Sequence, residues 1–251
     1  MNVIRCAIEA VGVVKQYPSA ERPALACLDL CVRPGELYGL LGPNGAGKTT
    51  ALAILSGLLV PDRGRVAILG MSPAGKRGSI GKIMALVPQE IALYEELTVR
   101  ENLSFFGRMF GLHGRMLAER IDSCLAVAAL EEFAARRVDS CSGGMRRRLN
   151  LVIGLLSSPR VLFLDEPTVG IDAQSKKLIH GQLKRINGQG TTILYTTHHL
   201  EEARLLCSKI GIIDAGRLVA EGTPDELLRR HSCATLEEFF LALTGTALRD
   251  C

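Results

Sequence analysis

A chain of 251 residues, 47% hydrophobic and 22% charged, is a folded globular protein with room for one large domain or for a domain carrying an inserted subdomain. A net charge of +4, with 4% aromatic residues and no Trp, gives little material for stacking on bases, so a dedicated nucleic-acid binder is not expected. No apolar run approaches the ~18 residues of a membrane span, and Met1-Asn2-Val3-Ile4-Arg5 leads into no apolar segment with a small-residue cleavage site, so neither a span nor an export signal is expected.

The first ninety residues read as short strands: Val3 to Ala10, Cys27 to Val32, Glu36 to Leu41, Arg65 to Ile68 and Ile83 to Val87. Turn signals at Arg33-Pro34-Gly35, Pro61-Asp62-Arg63-Gly64 and Leu69-Gly70 separate them. From Thr98 the period becomes helical, opened by a capping box of Thr98 and Glu101 and interrupted at Gly107, Gly111 and Gly114 on the way to about Arg137. A further helix is expected from Gly143 to about Ser157. Strand Val161 to Leu164, helix Ala173 to Asn187, strand Thr191 to Thr196, helix Leu200 to Cys207 and strand Lys209 to Ile213 then alternate, and Pro224 to Leu243 closes the chain as two short helices. Such alternation predicts an α/β core with a largely parallel sheet and ligands at the carboxyl ends of its strands. The helical block from Thr98 reads as an insertion between two strand-rich parts. The eight cysteines lack paired C-x-x-C spacing, and Cys27, Cys31, Cys124 and Cys207 sit in apolar or helical stretches, so reduced, mostly buried thiols are expected.

Between the apolar run Leu37 to Leu41 and the apolar stretch Ala51 to Leu59 lies Gly42-Pro43-Asn44-Gly45-Ala46-Gly47-Lys48-Thr49-Thr50. A strand, a Gly-rich turn and a helix start in this order form a phosphate loop. The glycines let successive N–H groups converge on phosphates, Lys48 reaches the outer two, the Thr49 hydroxyl ligates Mg2+, and the helix adds the positive end of its dipole. Downstream, Val161-Leu162-Phe163-Leu164 ends in Asp165-Glu166. Two acids at a buried strand end are costly without a cation; here Asp165 can hold Mg2+ and Glu166 can polarise an attacking water. The run Arg146-Arg147-Arg148 reads as a solvated helix face rather than a nucleic-acid site.

Cys141-Ser142-Gly143-Gly144-Met145, taken with Lys48 and Asp165-Glu166, resembles the signature of the ATP-binding cassette (ABC) ATPases, whose usual form is Leu-Ser-Gly-Gly. The motifs occur in the family's order over almost the whole chain. The resemblance implies a P-loop NTPase (RecA-like) core with an antiparallel β subdomain, over residues 1–90 and 155–223, a helical signature subdomain over 91–154, and a C-terminal helical tail over 224–251. It assigns Tyr17 to stacking on adenine, Gln89 to Mg2+ and water, Asp172 to the opposite subunit, and His198, rather than the adjacent His199, to the γ-phosphate. Ser142, Gly143 and Gly144 would meet the ATP of a second cassette, so one cassette per chain implies a dimer, expected as a homodimer. Cys141 replaces the usual Leu and leaves the phosphate-binding groups untouched.

Ser142-Gly143-Gly144-Met145 followed by basic residues and Leu149-Asn150, then Pro167 to Asp172 and the tail Thr235 to Gly245, are similar to the type-2 exporter branch. The tail's apolar residues are expected on the ATPase core. That branch implies an ATPase using ATP and Mg2+, peripheral on the cytoplasmic side of the cell membrane and bound to a separate membrane-spanning permease, with Ile91 to Leu97 beside the groove for the permease and no nucleic-acid partner. The alternative within the family is a soluble cassette acting on ribosomes or nucleic acid, whose relatives usually carry two cassettes per chain. A small-molecule kinase sharing only the phosphate loop lacks the signature and the histidine.

Overall fold

In a computed structural model of the chain, residues 5–18, 20–73 and 80–245 are described. The chain runs through β1 (Ile8–Lys15), β2 (Leu25–Val32), β3 (Leu37–Leu41), α1 (Lys48–Leu55), β4 (Arg63–Ile68) and β5 (Met84–Val87). Helices α2 (Val99–Met109), α3 (Gly114–Ala128) and α4 (Gly143–Leu155) follow. Then come β6 (Val161–Asp165), α5 (Ala173–Gly188), β7 (Thr192–Thr197), α6 (Leu200–Leu206), β8 (Lys209–Asp214), β9 (Arg217–Gly222), α7 (Pro224–His231) and α8 (Leu236–Thr244). The first two residues of the expected strand Val3 to Ala10 lie outside the described residues.

Every residue of β3, β6 and β7 is buried, as strands covered on both faces require. They stand inside a six-stranded sheet of order β5-β6-β7-β3-β8-β9, parallel except for the β8/β9 hairpin. Alternate residues serve opposite layers. Tyr38, Leu40, Val161 and Phe163 face α1 and the antiparallel sheet β2-β1-β4, while Leu37, Leu41, Leu162 and Leu164 face α5 to α8. Phe239 and Phe240 of α8 are buried in this second layer, so the tail packs on the core. A third apolar cluster, including Leu103, Leu125, Leu149 and Val152, holds α2, α3 and α4 together.

Several local expectations change in the folded chain. The helical block is two α-helices followed by two short 3-10 turns. Gly107 lies inside α2, because a β-carbon there would strike Leu117 of α3. The capping box of Thr98 and Glu101 is present. Strand β9 went unread because it is an edge strand with only Gly222 buried; its signal is Ala215-Gly216, both at positive φ, the geometry of a tight hairpin turn.

Not all the cysteines are free thiols. Cys6 and Cys31 are joined by a disulfide, with their Cα atoms 5.4 Å apart. The antiparallel pairing of Ile8 with Val32 and Glu9 with Cys31 brings together two residues 25 apart in the chain, which spacing alone does not reveal. Cys124, Cys141 and Cys207 are buried free thiols, whereas Cys27 is exposed.

Phe163 is fully buried at the centre of β6. Phe163→Ala is expected to cost about 3–5 kcal/mol, read as a lower urea midpoint with an unchanged m-value.

Candidate active site

The parallel register brings four strand ends to one edge. Val87 pairs with Leu164, Asp165 with Thr196, and Leu41 with Thr197. The residues just past these ends therefore emerge side by side: the loop from Gly42, Gln89, Glu166 and His198. They border a cavity of about 370 Å³.

One wall is the phosphate loop and the first turn of α1. Gly47 caps α1 at φ 106°, and a β-carbon there would run into the Ala24 carbonyl, so only glycine fits. No acid occupies the first turn of α1, which leaves the helix N-terminus electrostatically open to an anion. Pro43, Asn44, Gly45, Gly47, Lys48, Thr49 and Thr50 all line the cavity, while Ala46 is buried beneath it. Lys48 Nζ donates to the carbonyls of Gly42 at 2.7 Å and Pro43 at 3.2 Å. It lies 3.6 Å from Glu166 Oε1. Burial lowers the Lys48 pKa, and the Glu166 and Asp165 carboxylates pull the other way. Tyr17 does not line the cavity, but its hydroxyl lies 3.5 Å from Oγ1 of Thr50, which does.

The opposite wall carries Glu166, with Asp165 just before it at the end of β6. Asp165 is buried and accepts from Thr196 Oγ1 at 2.7 Å. Glu166 has φ 44°, a left-handed conformation rare for a residue with a side chain. Its N–H donates to the Thr196 carbonyl at 3.2 Å, which holds that geometry. Glu166 Oε2 lies 3.0 Å from His198 Nδ1. His199, whose N–H bonds Thr197 Oγ1, borders a neighbouring hollow instead.

Ser142, Gly143, Gly144 and Asp172 do not line this cavity. Ser142 caps α4, accepting from Met145 N–H at 3.2 Å, and Ser142 and Gly143 are exposed. A β-carbon on Gly144 would strike the Ser175 hydroxyl. Asp172 caps α5 through Ser175 N–H at 2.9 Å and Ser175 Oγ at 2.8 Å. The sequence-derived site residues thus form two sets within one chain, one around Lys48 and one at the start of α4 and α5.

The family model for the ABC transporter matches residues 25–169. The chain belongs to the ABC transporter family. The Nod factor export ATP-binding protein I of Rhizobium sp. (strain N33) is 43% identical over 237 residues, covering 94% of this chain and 77% of that protein. Among solved structures, the ATP-binding subunit of an ABC transporter superposes with TM-score 0.85 at 29% identity, covering 94% of this chain and 99% of that one. The dimeric ATP-binding cassette MJ0796, in a post-hydrolysis state bound to ADP and Pi, does so with TM-score 0.78 at 28% identity, covering 86% and 98%. The fold is that of an ABC ATPase: a P-loop NTPase core with an antiparallel β sheet and a helical insertion.

Sequence reasoning missed several residues of this ABC site. Ala24 lines the cavity without any motif to mark it, and Val169, inside the segment Pro167 to Asp172, lines it without having been assigned a role there. The arginine run is not a solvated face. Arg147 is only 6% exposed, Arg148 Nη1 donates to the carbonyls of Ala128 at 2.6 Å and Ala129 at 3.2 Å, closing the end of α3, and Arg146 pairs with Glu95 at 3.3 Å. At helical spacing the three side chains leave in three directions, and the neighbours that meet them are remote in sequence.

Glu202 of α6 is a second unmarked residue. It accepts from Thr168 Oγ1 at 2.6 Å, Tyr195 OH at 2.9 Å and Lys176 Nζ at 2.9 Å, with His180 Nε2 at 3.7 Å. It thereby ties the loop after β6 to β7, α5 and the helix that follows His198. Burial raises the Glu202 pKa, but His180, Thr168, Lys176 and Tyr195 outweigh it and hold the carboxyl far below its ordinary value of 4.5. A carboxyl depressed in the folded state stabilises above its unfolded pKa and loses that contribution as pH falls. Glu202→Gln is therefore expected to be less stable than wild type at pH 7, with the gap narrowing below about pH 4, as urea midpoints measured across that range would show.

Proposed function

We propose that this ABC ATPase drives export through a separate membrane-spanning permease, working as a dimer on the cytoplasmic face of the cell membrane. The observation that carries the chemistry is the convergence of Lys48, Glu166 and His198 in one cavity: a cation and a helix N-terminus for phosphates beside a carboxylate for water. Lys48 and the loop amides hold the phosphates, and Tyr17, beside Thr50, stacks on the adenine. Glu166 polarises the attacking water. His198, steadied through Nδ1 by Glu166, positions the γ-phosphate.

The oxygens available beside the phosphate loop suit a hard divalent cation. Thr49 and Gln89 line the cavity with a hydroxyl and an amide oxygen, and Asp165 ends the adjoining strand with a carboxylate. These residues would hold Mg2+, which supplies charge neutralisation on the transferring phosphate.

The exposed first turn of α4 supports composite sites. Ser142, Gly143 and Gly144 offer a hydroxyl and amides that cannot serve their own chain's cavity, and Asp172 lies beside them, so a second copy receives them. The dimeric cassette among the similar structures supports the pairing of two copies. The export role is supported by the name of the Rhizobium relative. Among the described residues no helix is long and apolar enough to cross a membrane, which fits a separate permease. A hollow of about 360 Å³ beside Gln89, lined by Leu86, Pro88, Ala92, Phe106 and Phe110, lies next to the half-exposed Tyr94 and Phe105, whose rings are 4.7 Å apart. We assign this surface and the segment Ile91 to Leu97 to the permease.

Glu166→Gln should lower ATP turnover about 10²-fold or more while retaining ATP binding; near-normal hydrolysis would overturn the assignment of Glu166. The same variant at low micromolar concentration should double its mass in size-exclusion light scattering when Mg-ATP is added. A persistent monomer that binds ATP would overturn self-sufficient homodimerisation.

A further inference from the structure

The reaction as described leaves Arg147 without a role, yet it is among the most deeply buried charges in the chain. It lies on α4 one turn after Gly143, at the helix that carries the signature. Its guanidinium Nη1 donates to the Gln89 carbonyl and its Nη2 to the Val169 carbonyl at 3.2 Å. Both acceptors belong to residues that line the nucleotide cavity, one in the segment after β5 and one in the loop after β6. Val169 in turn closes a tight turn with the catalytic carboxylate's own backbone, its N–H donating to the Glu166 carbonyl at 3.3 Å. One turn further along α4, Asn150 Nδ2 donates to the Pro88 carbonyl at 3.4 Å, a second tie to the Gln89 segment. Burial lowers the Arg147 pKa, and the Glu166 carboxylate pulls the other way.

A planar fork with two donors spans two carbonyls at fixed separation, which an ammonium group on a flexible stem does not reproduce. Because both acceptors are backbone oxygens, the tie fixes the two segments whatever side chains they bear. We propose that Arg147 is a positioning residue that transmits the seating of the signature helix to the Gln89 segment and to the turn carrying Glu166. Binding of ATP between two copies would pull on Ser142 to Gly144, and Arg147 would convert that pull into alignment of Glu166 with water and of Gln89 with the cation. The proposal rests on the reading of the cavity as the ATP site.

The test compares full-length wild type, Arg147→Lys and Arg147→Met in Mg-ATP turnover, fluorescent ATP-analogue binding and thermal unfolding. Arg147→Lys keeps the charge and the stem but not the fork. It is expected to lose kcat about tenfold or more, with ATP affinity and KM within about twofold of wild type and a nearly unchanged Tm. Arg147→Met should lose at least as much kcat; if it fails to fold, the lysine variant decides. Wild-type kcat in Arg147→Lys overturns the proposal. So does a loss of kcat matched by equal losses of ATP affinity and Tm, the mark of a merely structural cation. A wild-type chain that neither binds nor turns over ATP sinks the ATP-site reading and the strut together, whereas normal turnover in wild type and Arg147→Lys alike sinks the strut alone.

Discussion

The fully buried Thr196 sits at the joint on which the active edge depends. Its place in β7 opposite Asp165 follows from the parallel register, and from there its hydroxyl donates to Asp165 Oδ1 while its carbonyl receives the Glu166 N–H. The first bond satisfies an acid that burial would otherwise penalise, and the second holds Glu166 in a left-handed backbone geometry it would not adopt alone. A slip of one residue between β6 and β7 would break both bonds. It would also turn over the strand that slipped, taking Phe163 of β6 or Leu194 of β7 away from the layer beneath α1 and Leu164 or Tyr195 away from the layer beneath α5, so the two apolar layers guard the register that builds the site.

Four ionisable side chains share this edge, and each has an answer for its charge. Lys48 has two carbonyls and Glu166, Asp165 has Thr196, and Glu166 has both Lys48 and His198. In a partly buried site these attractions are stronger than at the surface, and removing one partner leaves the other charge uncompensated, at about 3–5 kcal/mol for a buried pair. The arrangement concentrates charge where phosphate chemistry needs it without an exposed ionic surface. Around it stands a second polar cluster centred on Glu202, which joins the loop after Glu166 to the helix after His198 and so keeps these two segments at a constant spacing.

The separation of the signature from the cavity of its own chain is equally physical. Ser142 lies at the start of a helix whose buried face, through Leu149, Val152 and Ile153, is committed to α2 and α3. Ser142 and Gly143 at its start are therefore exposed, and Gly144 packs closely against Ser175 because no side chain intervenes. A signature set apart from its own chain's cavity follows from a helix that must bury one side and leave its N-terminus open.

The phosphate loop, the acids ending an apolar strand, the signature and, β9 apart, the order of strands and helices were legible in the sequence, because each depends on neighbours within a few residues. Glycines at a turn, a fully apolar run and a capping Thr are local chemistry, and local chemistry survives reading in one dimension. The tertiary structure alone decided which partners these residues meet. The Cys6–Cys31 bridge needs strands paired across 25 residues, and the inward turn of Arg147 needs carbonyls 58 and 22 residues away. The Glu202 cluster needs Thr168, 34 residues distant. A charged run looks solvated until the fold shows which carbonyls lie opposite it, since hydrogen bonding of a buried charge is set by distance in space and not along the chain.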